Sequence, residues 1–126
     1  MIAGIGTDIA KVSRFEKWVR NPGMTERFFN PKEFSSAGSE ASRCQHYAAR
    51  FAAKEAFSKA LGTGISGFDL KDVYITNDSE GKPLLNIEGA ALSLMKERLG
   101  ECRAFVSLSH EKEYAIAFVV LELKED

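Results

Sequence analysis

Two carboxylates and a scatter of cations are the residues in this chain whose types and spacing could do chemistry. Glu55 lies in the run Arg50-Phe-Ala-Ala-Lys-Glu-Ala-Phe-Ser-Lys-Ala-Leu-Gly-Thr-Gly64, the second half of a long amphipathic helix. Its apolar stripe is Cys44, Tyr47, Ala48, Phe51, Ala52 and Ala56, at steps of three and four. Glu55 falls on that stripe, one turn after Phe51, and Lys59 follows one turn later on the same side. A carboxylate on a buried face is costly unless it is paired or holds a cation. Two readings are open: an ordinary i,i+4 ion pair at the edge of the stripe, or a site for a cation. Asp8 is the second carboxylate, on a strand beside Gly4 and Gly6, and glycine in a strand marks close approach of a backbone or a ligand. Asp8 and Glu55 together suit Mg²⁺, which takes hard oxygen ligands and usually one or two carboxylates plus substrate phosphates. No His/Cys set suits zinc. Arg50 and Lys54, at i and i+4, offer two cations that suit a polyphosphate. Lys82 sits beside a Gly81 turn and His110 at a strand end; alone, each is an ordinary exposed residue.

The elements that must position these residues follow from periodicity and breakers. Ile2 to Lys11 reads as a strand with Gly4, Gly6 and Asp8 on one face and Ala3, Ile5, Thr7 and Ile9 on the other. Ser13 is an expected N-cap for a short helix with Phe15, Trp18 and Val19 on its apolar side, stopped by Asn21-Pro-Gly23. Asn30-Pro31 with Glu33 starts another short helix. The long helix runs from about Glu40 to Leu61, where Gly62 and Gly64 end it. A hairpin follows, Val73 to Thr76 and Pro83 to Ile87, then a helix over 89–99. A second hairpin, Arg103 to Ser109 and Tyr114 to Leu123, closes the chain. The antiparallel pairs exclude a doubly wound parallel sheet. The expected fold class is α+β: a mostly antiparallel sheet with one long helix and shorter helices packed on it. Gly4-Ile-Gly6 lacks the third glycine of a dinucleotide fingerprint.

Composition bounds the function classes. The chain has 126 residues, 44% hydrophobic and 28% charged, which suits one domain over residues 1–126. A net charge of −1 argues against a nucleic-acid or membrane polycation. No apolar run approaches a membrane span, and the first residues do not read as a leader. The two cysteines, Cys44 and Cys102, read as buried free thiols, which favours a reducing cytoplasm. Charge is uneven: residues 11–32 hold six basic residues against Glu16 and Glu26. Of the basic residues, Arg14, Lys17 and Arg20 lie on the side of the first helix away from its aromatic stripe.

Taken in order, several segments resemble the holo-[acyl-carrier-protein] synthases, the small bacterial type of 4′-phosphopantetheinyl transferase. They are Gly4-Ile-Gly-Thr-Asp-Ile9 with Arg14-Phe15, Arg50 to Phe57 through Leu61-Gly-Thr-Gly-Ile65, Asn77-Asp78 with Gly81-Lys-Pro83, and Ser107-Leu-Ser-His110 with Tyr114-Ala115. The resemblance covers essentially the whole chain; the stretch 20–45 is less telling. It implies the 4′-phosphopantetheinyl transferase fold and a reaction. Phosphopantetheine moves from coenzyme A to a serine of an apo acyl carrier protein, with release of 3′,5′-ADP, in fatty acid biosynthesis. It further implies that Asp8 and Glu55 hold Mg²⁺ and that Lys59 approaches the same phosphates. Arg50, Lys54, Gly62, Lys82, Pro83 and His110 are implied to bind coenzyme A. The proton acceptor for the serine stays open between Glu55 and a water on the metal. The family is trimeric with sites between subunits. Arg14, Lys17 and Arg20 are the expected docking surface for the acidic carrier protein. Two rivals stand beside this: a non-catalytic module for an acidic partner, which leaves Asp8 and Glu55 unexplained, and a coenzyme-A-dependent acyltransferase, which would release free coenzyme A.

Overall fold

The computed structural model describes residues 1–36 and 38–125. Its strands are β1 (Ile2–Lys11), β2 (Val73–Asn77), β3 (Pro83–Ile87), β4 (Cys102–His110) and β5 (Tyr114–Leu123). Its helices are α1 (Glu16–Arg20), α2 (Pro22–Phe28), α3 (Glu40–Leu61) and α4 (Gly89–Arg98). Pairing is antiparallel throughout, as expected, but divides into two sheets: β1-β5-β4 and the hairpin β2-β3.

α3 organises the molecule. Ser39 caps its start, its side chain accepting from the Ser42 amide at 3.0 Å, and Gly62 ends it with φ of 81°. Between them the alanine-rich sequence favours helix and keeps the buried face thin. That thinness matters against β1. A Cβ on Gly4 would strike the Ala60 carbonyl oxygen, and one on Gly6 would strike that of Ala56. The glycines beside Asp8 therefore answer to a backbone, and they let α3 lie directly on the strand. Ala10, Ala115, Ala117, Val119 and Leu121 complete the sheet's inner face. Phe15, Phe29 and Phe57 are fully buried, each contributing about 2 kcal/mol of hydrophobic stabilisation.

The N-terminal region differs from the sequence reading in one detail. Ser13 is no N-cap; a 3-10 turn spans Val12–Phe15 and runs into α1 without a side-chain cap. Phe15 is drawn into the core and stacks on Trp18 and Phe51 at 4.9 and 5.6 Å, so aromatic packing sets the bend instead. The capping box on Asn30 and Glu33 is present. Both cysteines are free and buried.

Candidate active site

The first cluster forms where β1 meets the last turns of α3. Asp8 faces the helix, and the Lys59 ammonium donates to its Oδ1 at 3.0 Å. Glu55, one turn before Lys59, is half-buried, and among the described residues its carboxylate meets no donor. Burial raises its pKa, the Asp8 charge raises it further, and Lys59 and Arg14 pull it back. Two hard carboxylates close enough to feel each other's charge, one already gripping an ammonium, form a donor set that fits Mg²⁺. Among the described residues no group of three His, Cys, Asp or Glu side chains gathers that could by itself hold a metal ion. Asp8 and Lys59 open, with Thr7, Ile9, Ile116 and Phe118, onto a cleft of about 290 Å³. Gly62, three residues past Lys59, is fixed as the αL terminus of the helix.

A second cluster lies elsewhere on the chain. Arg50, Pro83 and His110 share a cleft of about 380 Å³ with His46 and Asn77. Three segments distant in sequence thus meet, and Lys82 stands exposed on the adjoining turn, which Asp78 organises by accepting from the Lys82 and Glu80 amides at 2.9 and 2.8 Å. Arg50 donates to the His46 carbonyl at 3.3 Å and to Asn77 Oδ1 at 3.4 Å, while its buried Nε has no partner among the described residues. Burial presses the guanidinium pKa down, against the Glu33 and Tyr47 charges. A half-buried cation lining a cleft is a place for an anion. Arg50 and Lys59 are nine residues apart, so they sit roughly 13 Å apart along the helix and roughly 180° around it. One chain therefore presents its two clusters on different faces.

Lys54 does not join either cluster. It is only 1% exposed, and its Nζ donates to Glu33 Oε1 at 2.6 Å, Leu70 O at 3.0 Å and Val73 O at 2.6 Å. With three acceptors for three protons, it has nothing left for a phosphate. The expected coenzyme A contact is therefore corrected to a buried ion pair, with Lys54 turned into the core beneath Phe29. Arg20 is also committed, gripping Glu40 through two hydrogen bonds of 2.7 and 2.9 Å. Arg14 and Lys17 are exposed, and the Arg14 guanidinium stacks 4.9 Å from the Phe51 ring centre.

Residues the sequence reading missed are Glu33, His46 and Asn77. Glu33 was visible only as a capping residue. His46, one turn before Arg50, could have been found by extending the i,i+4 search backwards. Its ring meets the Glu33 carbonyl through Nε2, and burial, then Arg50, push its pKa down to about 4 against that hydrogen bond.

Known proteins match this chain over nearly its whole length. The family model described as the 4′-phosphopantetheinyl transferase superfamily matches residues 4–119. A holo-[acyl-carrier-protein] synthase of Treponema denticola is 47% identical over 123 residues, covering 97% of this chain and 99% of that protein. The crystal structure of a holo-[acyl-carrier-protein] synthase from Neisseria meningitidis is similar with a TM-score of 0.81 at 39% identity, covering 97% of this chain and 99% of that one. The Bacillus anthracis synthase in complex with CoA (3′,5′-ADP) is similar with a TM-score of 0.78 at 36% identity, covering 98% and 99%.

Proposed function

Since the chain belongs to the 4′-phosphopantetheinyl transferase superfamily, in its holo-[acyl-carrier-protein] synthase group, we propose that residues 1–126 form one transferase domain that moves 4′-phosphopantetheine from coenzyme A to a serine of apo acyl carrier protein. The serine oxygen bonds to the phosphorus bearing the pantetheine, the anhydride P–O bond breaks, and 3′,5′-ADP leaves. The observation that carries this reading is the Asp8–Lys59–Glu55 cluster, two carboxylates and an ammonium that the close approach of β1 and α3 brings together.

Asp8 and Glu55 would hold Mg²⁺, which when bound would neutralise charge on the pyrophosphate. Lys59, already at Asp8, would meet the phosphates from the same side. The serine proton would pass to Glu55 or to a water beside it as the new bond forms. Arg50, His110, Lys82 and Pro83 would receive the nucleotide end. Arg14 and Lys17 would steer the acidic carrier protein; Arg20, neutralised by Glu40, would contribute less.

A homotrimer with shared sites agrees with two features. The outer face of the β1-β5-β4 sheet leaves Ile5, Ile9, Phe105 and Phe118 exposed by 65, 58, 49 and 49%, a patch that a second copy would cover. It adjoins the Asp8–Lys59 cleft, and the nucleotide residues lie around the helix on another face. Joining copies through this patch would let a neighbour complete each site. Among the described residues no helix is long and apolar enough to cross a membrane, and a cytoplasmic place in fatty acid biosynthesis suits the free buried thiols.

The test is mass spectrometry of apo acyl carrier protein incubated with this protein, coenzyme A and Mg²⁺. A phosphopantetheine adduct with 3′,5′-ADP in solution is expected. Free coenzyme A with an acylated carrier protein would indicate an acyltransferase, and no product with Mg²⁺-independent coenzyme A binding would defeat the catalytic reading.

A further inference from the structure

We infer that the buried Glu33–Lys54 pair positions the nucleotide cleft: it fixes the β2-β3 hairpin against the segment of α3 that carries Arg50. The inference rests on the reading that this cleft receives coenzyme A.

A two-stranded hairpin is marginal by itself and takes its place from whatever it is pinned to. Here β2 has one edge on β3, with Ile75 opposite Leu85, and among the described residues no strand on the other. Glu33 fills that edge. Its Oε2 accepts from the Ile75 amide at 3.0 Å, while Oε1 accepts from the Asn30 amide at 3.1 Å and from Lys54 at 2.6 Å. Lys54 in turn holds the Leu70 and Val73 carbonyls at the entry to β2. Asn30 adds its own side-chain bond to the Lys71 carbonyl at 3.1 Å. One carboxylate and one ammonium thus tie two separate segments, 30–33 and 70–75, to a single turn of α3.

That turn is the one next to the cleft. Arg50 lies one turn before Lys54, and Asn77 lies two residues beyond Ile75 on β2. The two meet at 3.4 Å, and Pro83, directly across the ladder from Asn77, lines the same cleft. The wall made by the hairpin and the wall made by α3 are therefore held in register by the buried pair immediately behind them. A buried ion pair is often no more stabilising than apolar side chains of similar volume, so its presence points to register rather than to stability. Glu33 and Lys54 do not line the cleft; they act through Arg50, Asn77 and Pro83.

The experiment compares Glu33→Gln, Lys54→Met and the double variant Glu33→Leu/Lys54→Met with wild type and with Arg50→Ala. Each is melted thermally, and kcat and the KM for coenzyme A and for carrier protein are measured on the folded protein. The expected result is a KM for coenzyme A raised about tenfold in every pair variant, with kcat and the carrier-protein KM near wild type. The double variant leaves no buried charge unpaired but still orphans the Ile75 amide and the Leu70 and Val73 carbonyls, so it is expected to melt above the single variants and below wild type, without regaining coenzyme A affinity. A lowered melting temperature with an unchanged coenzyme A KM would make the pair a purely structural one and overturn the inference. If Arg50→Ala leaves that KM unchanged, the reading of the cleft falls and this inference with it. If Arg50→Ala raises the KM and the pair variants do not, the inference alone falls.

Discussion

Gly6→Ala tests the link between packing and chemistry most directly. Gly6 has an extended backbone that alanine can adopt, so the cost is steric. The added Cβ would lie 2.8 Å from Ala60 N and 3.0 Å from the Ala56 carbonyl carbon, with the Ala56 oxygen closer still. These are helix backbone atoms and cannot rotate away. To restore contacts of about 3.5 Å with every one of these atoms, the Ala56 oxygen included, α3 must back off β1 by about 1.5 Å or more. Overpacking of this kind costs about 3 kcal/mol, and loss of glycine's unfolded-state freedom returns up to about 1 kcal/mol. A net loss of about 2 kcal/mol lowers the melting temperature by about 8 °C in a chain of this size. The same displacement carries Glu55 and Lys59 away from Asp8, two residues along the strand from Gly6. Transfer is expected to fall by at least about tenfold, with a weaker apparent affinity for Mg²⁺. Thermal unfolding by circular dichroism and a Mg²⁺ titration of turnover measure both effects. Gly23→Ala is the control: its Cβ meets only Asn21 Oδ1 at 3.3 Å, in an exposed first turn. A Gly6→Ala protein that melts and turns over like wild type would refute the close-approach reasoning.

Glu55→Gln is expected to abolish transfer while leaving the melting temperature unchanged or higher, because the wild-type carboxylate is burdened by burial and by Asp8; near wild-type turnover would end its metal role. The raised pKa also sets a pH dependence. The protonated form is favoured by folding, so this residue's contribution to apo stability is fully present below the ordinary value of 4.5 and is lost as pH rises through the raised value. Protons compete with Mg²⁺ for the same carboxylate, so apparent Mg²⁺ affinity should weaken as pH falls through that value, and Glu55→Gln should lack this dependence. Phe118→Asp, on the exposed sheet face, should convert a trimer to monomers by light scattering and remove activity; an active monomer would defeat the shared site. Arg14→Glu with Lys17→Glu should raise the KM for carrier protein severalfold more than that for coenzyme A and reduce the salt sensitivity of the rate, whereas Arg20→Glu should do less. Equal loss for both substrates would point to a damaged fold.

The reach of the sequence differed from residue to residue. Local signals located the long helix, because its apolar stripe and the glycines that end it act within a turn or two of themselves, whereas the Ser39 cap emerged only in the structure. Period-two and period-three-to-four patterns likewise sufficed for the hairpins and for an α+β class. Glu55 stood out because it broke a periodic stripe, and Asp8 because two glycines preceded it. What those glycines accommodate, the Ala56 and Ala60 carbonyls, was not visible, since it depends on which strand α3 crosses. The cations expose the boundary most clearly. Arg50, Lys54 and Lys59 look alike as letters on one helix, yet one lines a cleft, one is sealed in the core and one grips Asp8. Helical periodicity fixes their relative directions, but a side chain's fate depends on what lies in that direction. Leu70, Val73 and Glu33, 16 to 21 residues from Lys54, supply the acceptors that take it out of solvent. The sequence by itself determined the elements and the pair of carboxylates. Tertiary contact decided which charges remain free to meet a ligand, because burial and pairing are properties of neighbours that are distant along the chain.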